Sequence, residues 1–366
     1  MQESFSIVLA AGGTGGHIFP AEALMEELTR RGHQVALITD NRYLNYKGNE
    51  SVPGNVHIIR ASSMKRGVIG KMASMVEIGH GIFQACALLK QLKPKVVVGF
   101  GGYPSFPTMI DAIAMGHRTV IHEQNSLVGA VNRLSAPFVR TIATSFPEVI
   151  GISDNNASKI VLTGNPVRMA IRAIRDMPYP ELKEGSMLKI LVIGGSQGAS
   201  VFSDVIPAAI EALPESYRSH IRIDQQCRVD DLDKARAHYS RIGVSADLAP
   251  FFSDIPARLA SAHLVIARAG ASSLAEFTVA GRPAILVPLP NSAGGHQLFN
   301  AQALEDKGGG WVMPQEAFTV AALSARLEAF FGTPATLVNA ADAARKAGHP
   351  NAVADLSEVV EKLAKS

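Results

Sequence analysis

Ile7-Val8-Leu9-Ala10-Ala11-Gly12-Gly13-Thr14-Gly15-Gly16-His17 stands near the start of the chain, and Ile190-Leu191-Val192-Ile193-Gly194-Gly195-Ser196-Gln197-Gly198 repeats its plan in the second half. In each, an unbroken apolar run ends in glycines and a helical pattern follows. Such a run reads as a strand buried on both faces, the mark of a parallel sheet. The glycines let the backbone turn sharply and present N–H groups at a helix start, where the dipole is positive. That is an anion site, most often one for phosphate. Two of them predict two α/β domains facing each other across a cleft.

Composition agrees with that size and class. The chain has 366 residues, 47% of them hydrophobic and 18% charged, which suits two well-packed domains and argues against extensive disorder. A net charge of +3 implies no nucleic-acid partner through bulk charge, although a local basic patch stays open. Cys86 and Cys227 show neither disulfide nor metal spacing. No basic-then-apolar leader precedes the first strand, and the apolar stretch 96–115 is broken by Pro104, Pro107 and Asp111.

Branched runs predict strands at 5–10, 35–39, 56–60, 95–99, 119–122 and 141–144, then at 189–193, 220–225, 247–251, 264–267 and 284–288. The first helix is expected to carry Pro20 in its opening turn, to bury Ala21, Leu24, Met25 and Leu28, and to end at Gly32. Asn165-Pro166 and 177–180 are the linker candidates, and the tail from about Leu323 reads as helices broken near Gly348-His349-Pro350.

Neither glycine loop is GxGxxG or Walker-type, which weakens a dehydrogenase or P-loop reading. Asp40 closes the second strand where a dinucleotide fold places its ribose acid; the plainer reading is a strand-end acid in solvent. A third anion turn is offered by Arg268-Ala269-Gly270-Ala271-Ser272-Ser273-Leu274-Ala275-Glu276. There the serines could meet a diphosphate and Glu276 a ribose diol. The competing reading makes Ser272 a helix cap and Glu276 its capping-box partner. Asp231-Leu232-Asp233 imitates a metal-binding DxD but sits in a charged helical pattern. His122-Glu123 begins like a zinc motif yet has Ser126 where a second His is required. Metal ligands are therefore not expected, nor any cofactor.

Between Met64 and Lys95, the bases Lys65, Arg66 and Lys71 lie among Met72, Met75 and Phe83, the apolar positions at helical spacing. Such a stripe serves either a core face or, with its bases, an anionic membrane surface.

Taken in order, Ala11-Gly12-Gly13-Thr14-Gly15-Gly16-His17, Gly99-Phe100-Gly101-Gly102-Tyr103, His122-Glu123-Gln124-Asn125, Gly164-Asn165-Pro166-Val167-Arg168, 194–198 and the turn ending at Glu276 resemble the MurG family of glycosyltransferases along essentially the whole chain. The resemblance implies a GT-B fold, α/β with two Rossmann-like domains whose parallel sheets face an interdomain cleft. It places an acceptor- and membrane-facing domain at 1–165, a UDP-GlcNAc domain at 166–345, and a C-terminal helix of about 346–366 packed back on the first. The implied reaction is inverting, metal-independent transfer of GlcNAc from UDP-GlcNAc to undecaprenyl-diphosphate-MurNAc-pentapeptide (lipid I), giving lipid II for peptidoglycan. The implied setting is peripheral, on the cytoplasmic face of the bacterial inner membrane, with other cell-wall synthesis proteins as partners.

The resemblance assigns the donor to Thr14, Gly15, Gly16, Asn125, Arg168, Ser196, Phe252, Ala271, Ser272, Ser273, Leu274, Ala275, Glu276 and Gln297. It assigns the acceptor diphosphate to Gly13, Gly101, Gly102 and Tyr103. His17, at the edge of the first loop, is the expected general base, with helix capping or acceptor positioning as its alternatives. It also tilts the 65–83 patch toward the membrane. Two stretches depart from the family pattern: 291–297 lacks the acidic residues usual before His296-Gln297, and Gln226-Cys227-Arg228 replaces Gln-x-Gly. The rivals are a diacylglycerol glycosyltransferase, a UDP-GlcNAc 2-epimerase and a nucleotide-sugar sensor.

Overall fold

The structure is a computed structural model that describes residues 3–44, 53–62, 67–183, 185–195, 198–290 and 292–366. Lys65, Arg66 and Ser196 lie outside the described residues, as does the side chain of Lys71. The chain divides into two units, Met1–Arg168 with Asn351–Ser366, and Met169–Pro350.

In the first unit, strands β1 (Ser6–Ala10), β2 (Gln34–Thr39), β3 (Val56–Ile58), β4 (Val96–Gly99), β5 (Arg118–Glu123), β6 (Thr141–Thr144) and β7 (Ile160–Leu162) form one sheet. All pairs are parallel, in the order β3-β2-β1-β4-β5-β6-β7. Strand order reverses between β1 and β4, where Ala10 pairs with Gly99. The loops 11–14 and 100–104 therefore leave the sheet side by side, at the switch point where open α/β sheets bind ligands.

β1 is buried on both faces, as its sequence requires. Ile7 and Leu9 pack with Leu24 and Leu28, while Val8 packs on the opposite side with Ala85 and Leu89. Each such side chain contributes about 1.5–3 kcal/mol by leaving water. The C-terminal helix Ala352–Lys365 joins this unit by burying Leu356 and Val360 in the same core. Its Glu361 receives Arg31 at 3.1 Å and pairs with His33 at 3.0 Å. The preceding helix runs to Ala347, so the packed-back element begins at 352 rather than 346.

The second unit holds β8 (Leu188–Ile193), β9 (Ile221–Gln226), β10 (Ser245–Ala249), β11 (Leu264–Ala267), β12 (Ala284–Leu286) and β13 (Gly310–Val312). They too are all parallel, in the order β10-β9-β8-β11-β12-β13. Here the switch lies between β8 and β11, where Ile193 pairs with Ala267. The two sheets are independent Rossmann-like layers, each with its own core.

Local details correct three expectations. Pro20 lies in the second turn of the helix Gly15–Arg30, where it forfeits the hydrogen bond to the Gly16 carbonyl. β10 stops at Ala249 because Pro250 cannot donate to a ladder. β7 and β13, short edge strands, are additions to the expected set.

Candidate functional site

In the first unit the glycine loop is held from beneath. Asp40 is buried, not in solvent, and accepts the Gly13 N–H at 3.3 Å and the Arg42 Nε–H at 2.8 Å. Arg42 in turn lies 4.5 Å over the Tyr103 ring, whose phenol is pushed above its ordinary pKa by burial. Sequence reasoning missed this role, because Asp40 and Arg42 become loop braces only through the β1–β2 register.

Gly102 explains how the two loops approach. It has φ of +72°, and a Cβ there would stand 2.7 Å from the Gly12 oxygen and 3.0 Å from His17 Cδ2. Only glycine fits, so Gly12, Gly102 and His17 form one surface. Thr14 is the N-cap of the helix Gly15–Arg30; its carbonyl accepts the His17 and Ile18 N–H groups at 3.1 and 3.2 Å. No side-chain cap bond is made there, so His17 stands at the third helical position, partly exposed, and is not a cap.

The loop after β5 supplies the other half of this site. Glu123 is buried and accepts four N–H groups. Asn125 N and Asn125 Nδ2 meet Oε1 at 3.0 and 3.1 Å; Gly129 N and Asn132 Nδ2 meet Oε2, each at 2.9 Å. The dipeptide His122-Glu123 thus builds the loop that carries Asn125. His122 is wholly buried against Phe100, with ring centroids 5.3 Å apart. Burial pushes its pKa down to about 4, against smaller upward contributions from the Gly164 carbonyl and Glu123. Its Nε2 lies 3.0 Å from the Gly164 oxygen, and His17 Nδ1 lies 2.9 Å from Gln124 Oε1. Arg168, at the end of this unit, lies 5.6 Å over the Phe19 ring.

In the second unit the loops after β8, β11 and β12 adjoin. The helix Ala271–Ala280 is capped by Gly270 with no side-chain cap bond. Ser272 is therefore not its cap, and Glu276 stands six positions past the cap, beyond the third position a capping box needs. Leu274 is buried and its N–H bonds the Gly270 oxygen at 3.0 Å, so within 271–276 it has neither side chain nor amide to offer a ligand. Gln297 Oε1 accepts from Ala269 N at 3.2 Å and Leu289 N at 3.0 Å, tying the β11 and β12 loops together.

Arg268 reinforces that tie, reaching the Val287 oxygen at 3.1 Å and Gln315 Oε1 at 2.7 Å. Phe252 is buried under Arg258, whose guanidinium lies 3.7 Å from the ring centre. Partial burial works against the Arg258 charge, but Asp254, Asp247 and Asp224 outweigh it and raise its pKa. Arg228 lies across Gly198: a Cβ on Gly198 would stand 2.5 Å from Arg228 Cγ. Its Nη1 donates to Ser200 Oγ at 2.9 Å.

Asp233 is fully exposed and paired with Arg236 at 3.2 Å, while Asp231 is the N-cap residue of the helix Leu232–Arg241. Among the described residues no group of three or more His, Cys, Asp or Glu side chains is placed to hold a metal ion.

The helix Val68–Leu92 resolves the basic-apolar stretch in part. Met72, Met75, Val76 and Phe83 are 63%, 61%, 59% and 76% exposed, at spacings that share one helical face. They are not core, and an exposed stripe of this kind marks a contact surface. Among the described residues no helix is long and apolar enough to cross a membrane.

Two Rossmann-like units with glycine-rich turns at both switch points match the GT-B fold, and the sequence comparisons assign the class of enzyme. Residues 7–144 match the glycosyltransferase family 28 N-terminal domain and residues 189–356 its C-terminal domain. The chain belongs to glycosyltransferase family 28, within its MurG group of N-acetylglucosaminyltransferases. It is 51% identical over 354 residues, 97% of this chain and 93% of the relative, to the UDP-N-acetylglucosamine--N-acetylmuramyl-(pentapeptide) pyrophosphoryl-undecaprenol N-acetylglucosamine transferase of Rhodospirillum centenum. It is 49% identical to the protein of the same name from Paramagnetospirillum magneticum, over 98% of this chain and 96% of that one. The crystal structure of Acinetobacter baumannii MurG superposes with a TM-score of 0.77 at 28% identity, covering 97% of this chain and 99% of that one.

Proposed function

We propose that this enzyme transfers GlcNAc from UDP-GlcNAc, with inversion, to undecaprenyl-diphosphate-MurNAc-pentapeptide, forming the β1→4 bond of lipid II for peptidoglycan. The observation that carries the reading is near-full-length identity to relatives named for that transfer. On this reading the acceptor hydroxyl oxygen bonds to C1 of GlcNAc as the C1–O bond to UDP breaks. The bonding pair leaves with the diphosphate, and the hydroxyl proton passes to His17.

The chain's residues suit those tasks. His17 is partly exposed on the surface shared with Gly12 and Gly102, and an imidazole is the side chain most often used as a general base. Gly13, Gly101, Gly102 and Tyr103 would meet the acceptor diphosphate. Thr14, Gly15, Gly16, Asn125 and Arg168 would meet the donor with Ser196, the Phe252 backbone, 271–276 and Gln297. Backbone N–H groups and helix starts would take up the charge of the departing UDP, so the reaction would need no divalent cation. Leu274 would serve only by shaping the turn.

The exposed Met72, Met75 and Phe83, beside Lys65, Arg66 and Lys71 in sequence, would seat the first unit on anionic lipid at the cytoplasmic face of the inner membrane. That setting would also put it beside other cell-wall synthesis proteins. Labelled UDP-GlcNAc offered with lipid I, with diacylglycerol or with no acceptor, each with and without EDTA, tests the whole reading. Label should enter lipid I alone, with EDTA present. Transfer to diacylglycerol, epimerisation without acceptor, or loss of transfer restored by magnesium would each overturn its part of the proposal.

A further inference from the structure

Four groups, three from the ends of β5 and β7 and one from the first turn of the helix Gly15–Arg30, line up in a hydrogen-bonded row: Gly164 O, His122, Gln124 and His17. The row runs from His122 Nε2 to Gly164 O at 3.0 Å, through Gln124 Nε2 to His122 Nδ1 at 3.0 Å, to Gln124 Oε1 and His17 Nδ1 at 2.9 Å. His122 and Gln124 are both buried.

Two backbone carbonyls fix the direction of every proton in this row, because a carbonyl oxygen can only accept. The Gly164 oxygen requires a proton on His122 Nε2. His122, wholly buried, is then the neutral ring with a lone pair on Nδ1, in keeping with a pKa pushed down to about 4 by desolvation. The second carbonyl is that of His122 itself, 3.0 Å from Gln124 Nε2. It fixes the amide of Gln124, since the reversed amide would set oxygen against oxygen. Gln124 therefore donates to His122 and presents Oε1 to His17. That oxygen needs a donor, so His17 carries its proton on Nδ1.

We propose that Gln124, oriented by His122, is a positioning residue that holds His17 in its Nδ1–H tautomer, making Nε2 the ring nitrogen that takes the proton from the acceptor hydroxyl. The inference rests on reading His17 as the base. Gln124 touches no reacting atom; it acts through His17. The geometry agrees, because a Cβ on Gly102, in the acceptor loop, would lie 3.4 Å from His17 Nε2. The Cδ2–Nε2 edge of the ring, opposite the relay, thus faces the loop assigned to the acceptor. A histidine's reactive nitrogen is set by the hydrogen bond its other nitrogen makes, and a relay of this kind makes that choice before substrate arrives.

The test measures tautomer and turnover separately. In the wild-type full chain, 15N spectra of labelled histidine at mildly alkaline pH should show His17 with a protonated Nδ1 and an unprotonated Nε2. Gln124→Met, of similar volume but without either polar atom, should shift His17 toward a tautomer mixture. It should lower kcat at least about tenfold, and by no more than the 10²–10⁴-fold that a lost base costs, with KM for UDP-GlcNAc unchanged. A wild-type His17 protonated on Nε2 would overturn the proposal whether or not the variant folds. So would a folded Gln124→Met that keeps both the tautomer and kcat. His17→Ala with normal kcat would instead overturn the base reading, while the wild-type spectrum still decides whether the relay orders the ring.

Discussion

Asn132 Nδ2 donates to Glu123 Oε2 across 2.9 Å inside the first unit, and a Cβ added to Gly101 would lie 3.2 Å from that same nitrogen. One buried amide thus joins the loop after β5 to the glycine loop after β4. The four Glu123 partners named above are all N–H donors, so both of its oxygens serve as acceptors.

Glu123→Gln sets an amide NH₂ against donors and should cost about 1–3 kcal/mol of stability. Loop 125–129 should loosen with it, raising KM for UDP-GlcNAc through Asn125. Thermal melting and donor kinetics check both. An unchanged Tm would show that the carboxylate charge is not needed there.

Glu276→Ala should weaken UDP binding by about 1.5–3 kcal/mol while the protein keeps its fold, as expected for lost hydrogen bonds to a charged group. Gly270 holds the cap, so truncating Glu276 removes no capping box. Calorimetry with UDP decides it; unchanged affinity would remove Glu276 from the donor site.

His17→Ala should lower kcat by about 10²–10⁴-fold with little change in UDP binding. A variant that loses only acceptor affinity would make His17 a positioning residue.

Charge reversal of Lys65, Arg66 and Lys71 to Glu should release the protein from anionic vesicles, each base contributing about 1 kcal/mol near such a surface. Replacing Met72, Met75 and Phe83 with Ser should release it as well, since these side chains are exposed in the free protein. Co-sedimentation indifferent to both sets would exclude the patch.

His122 gives the protein an acid limit. Its folded pKa is near 4 and its unfolded value near 6.5, so between these the unfolded chain binds a proton that the folded chain refuses. Its contribution is complete above about pH 6.5 and is lost as pH falls toward 4, roughly 3 kcal/mol in all. Burial lowers His263 in the same sense in the second unit. Urea melts across this window should show a shallower pH dependence in His122→Phe than in wild type; equal slopes would contradict it.

The sequence by itself determined the architecture. Apolar runs such as 7–10 and 190–193 carry their burial in their own composition, and glycine after such a strand has few other uses. Motif order along the chain was sufficient to indicate the family. What the sequence did not reveal were short edge strands: β7, although apolar, is three residues long and exposed, and β13 spans three residues after a glycine pair, so neither run is long enough to read as a strand.

Tertiary structure alone decided which polar residues work together. Asp40 reaches Gly13 across 27 positions and Gln124 reaches His17 across 107, distances over which no local pattern operates. It likewise settled that Met72 and Phe83 face outward, because a helical stripe has the same spacing whether core or solvent lies against it. It moved the cap from Ser272 to Gly270, a choice made by backbone geometry rather than by side-chain type. Burial is a property of the strand's own residues and can be read one element at a time. A hydrogen bond needs a partner, and the β2–β1–β4–β5 register is what supplies it.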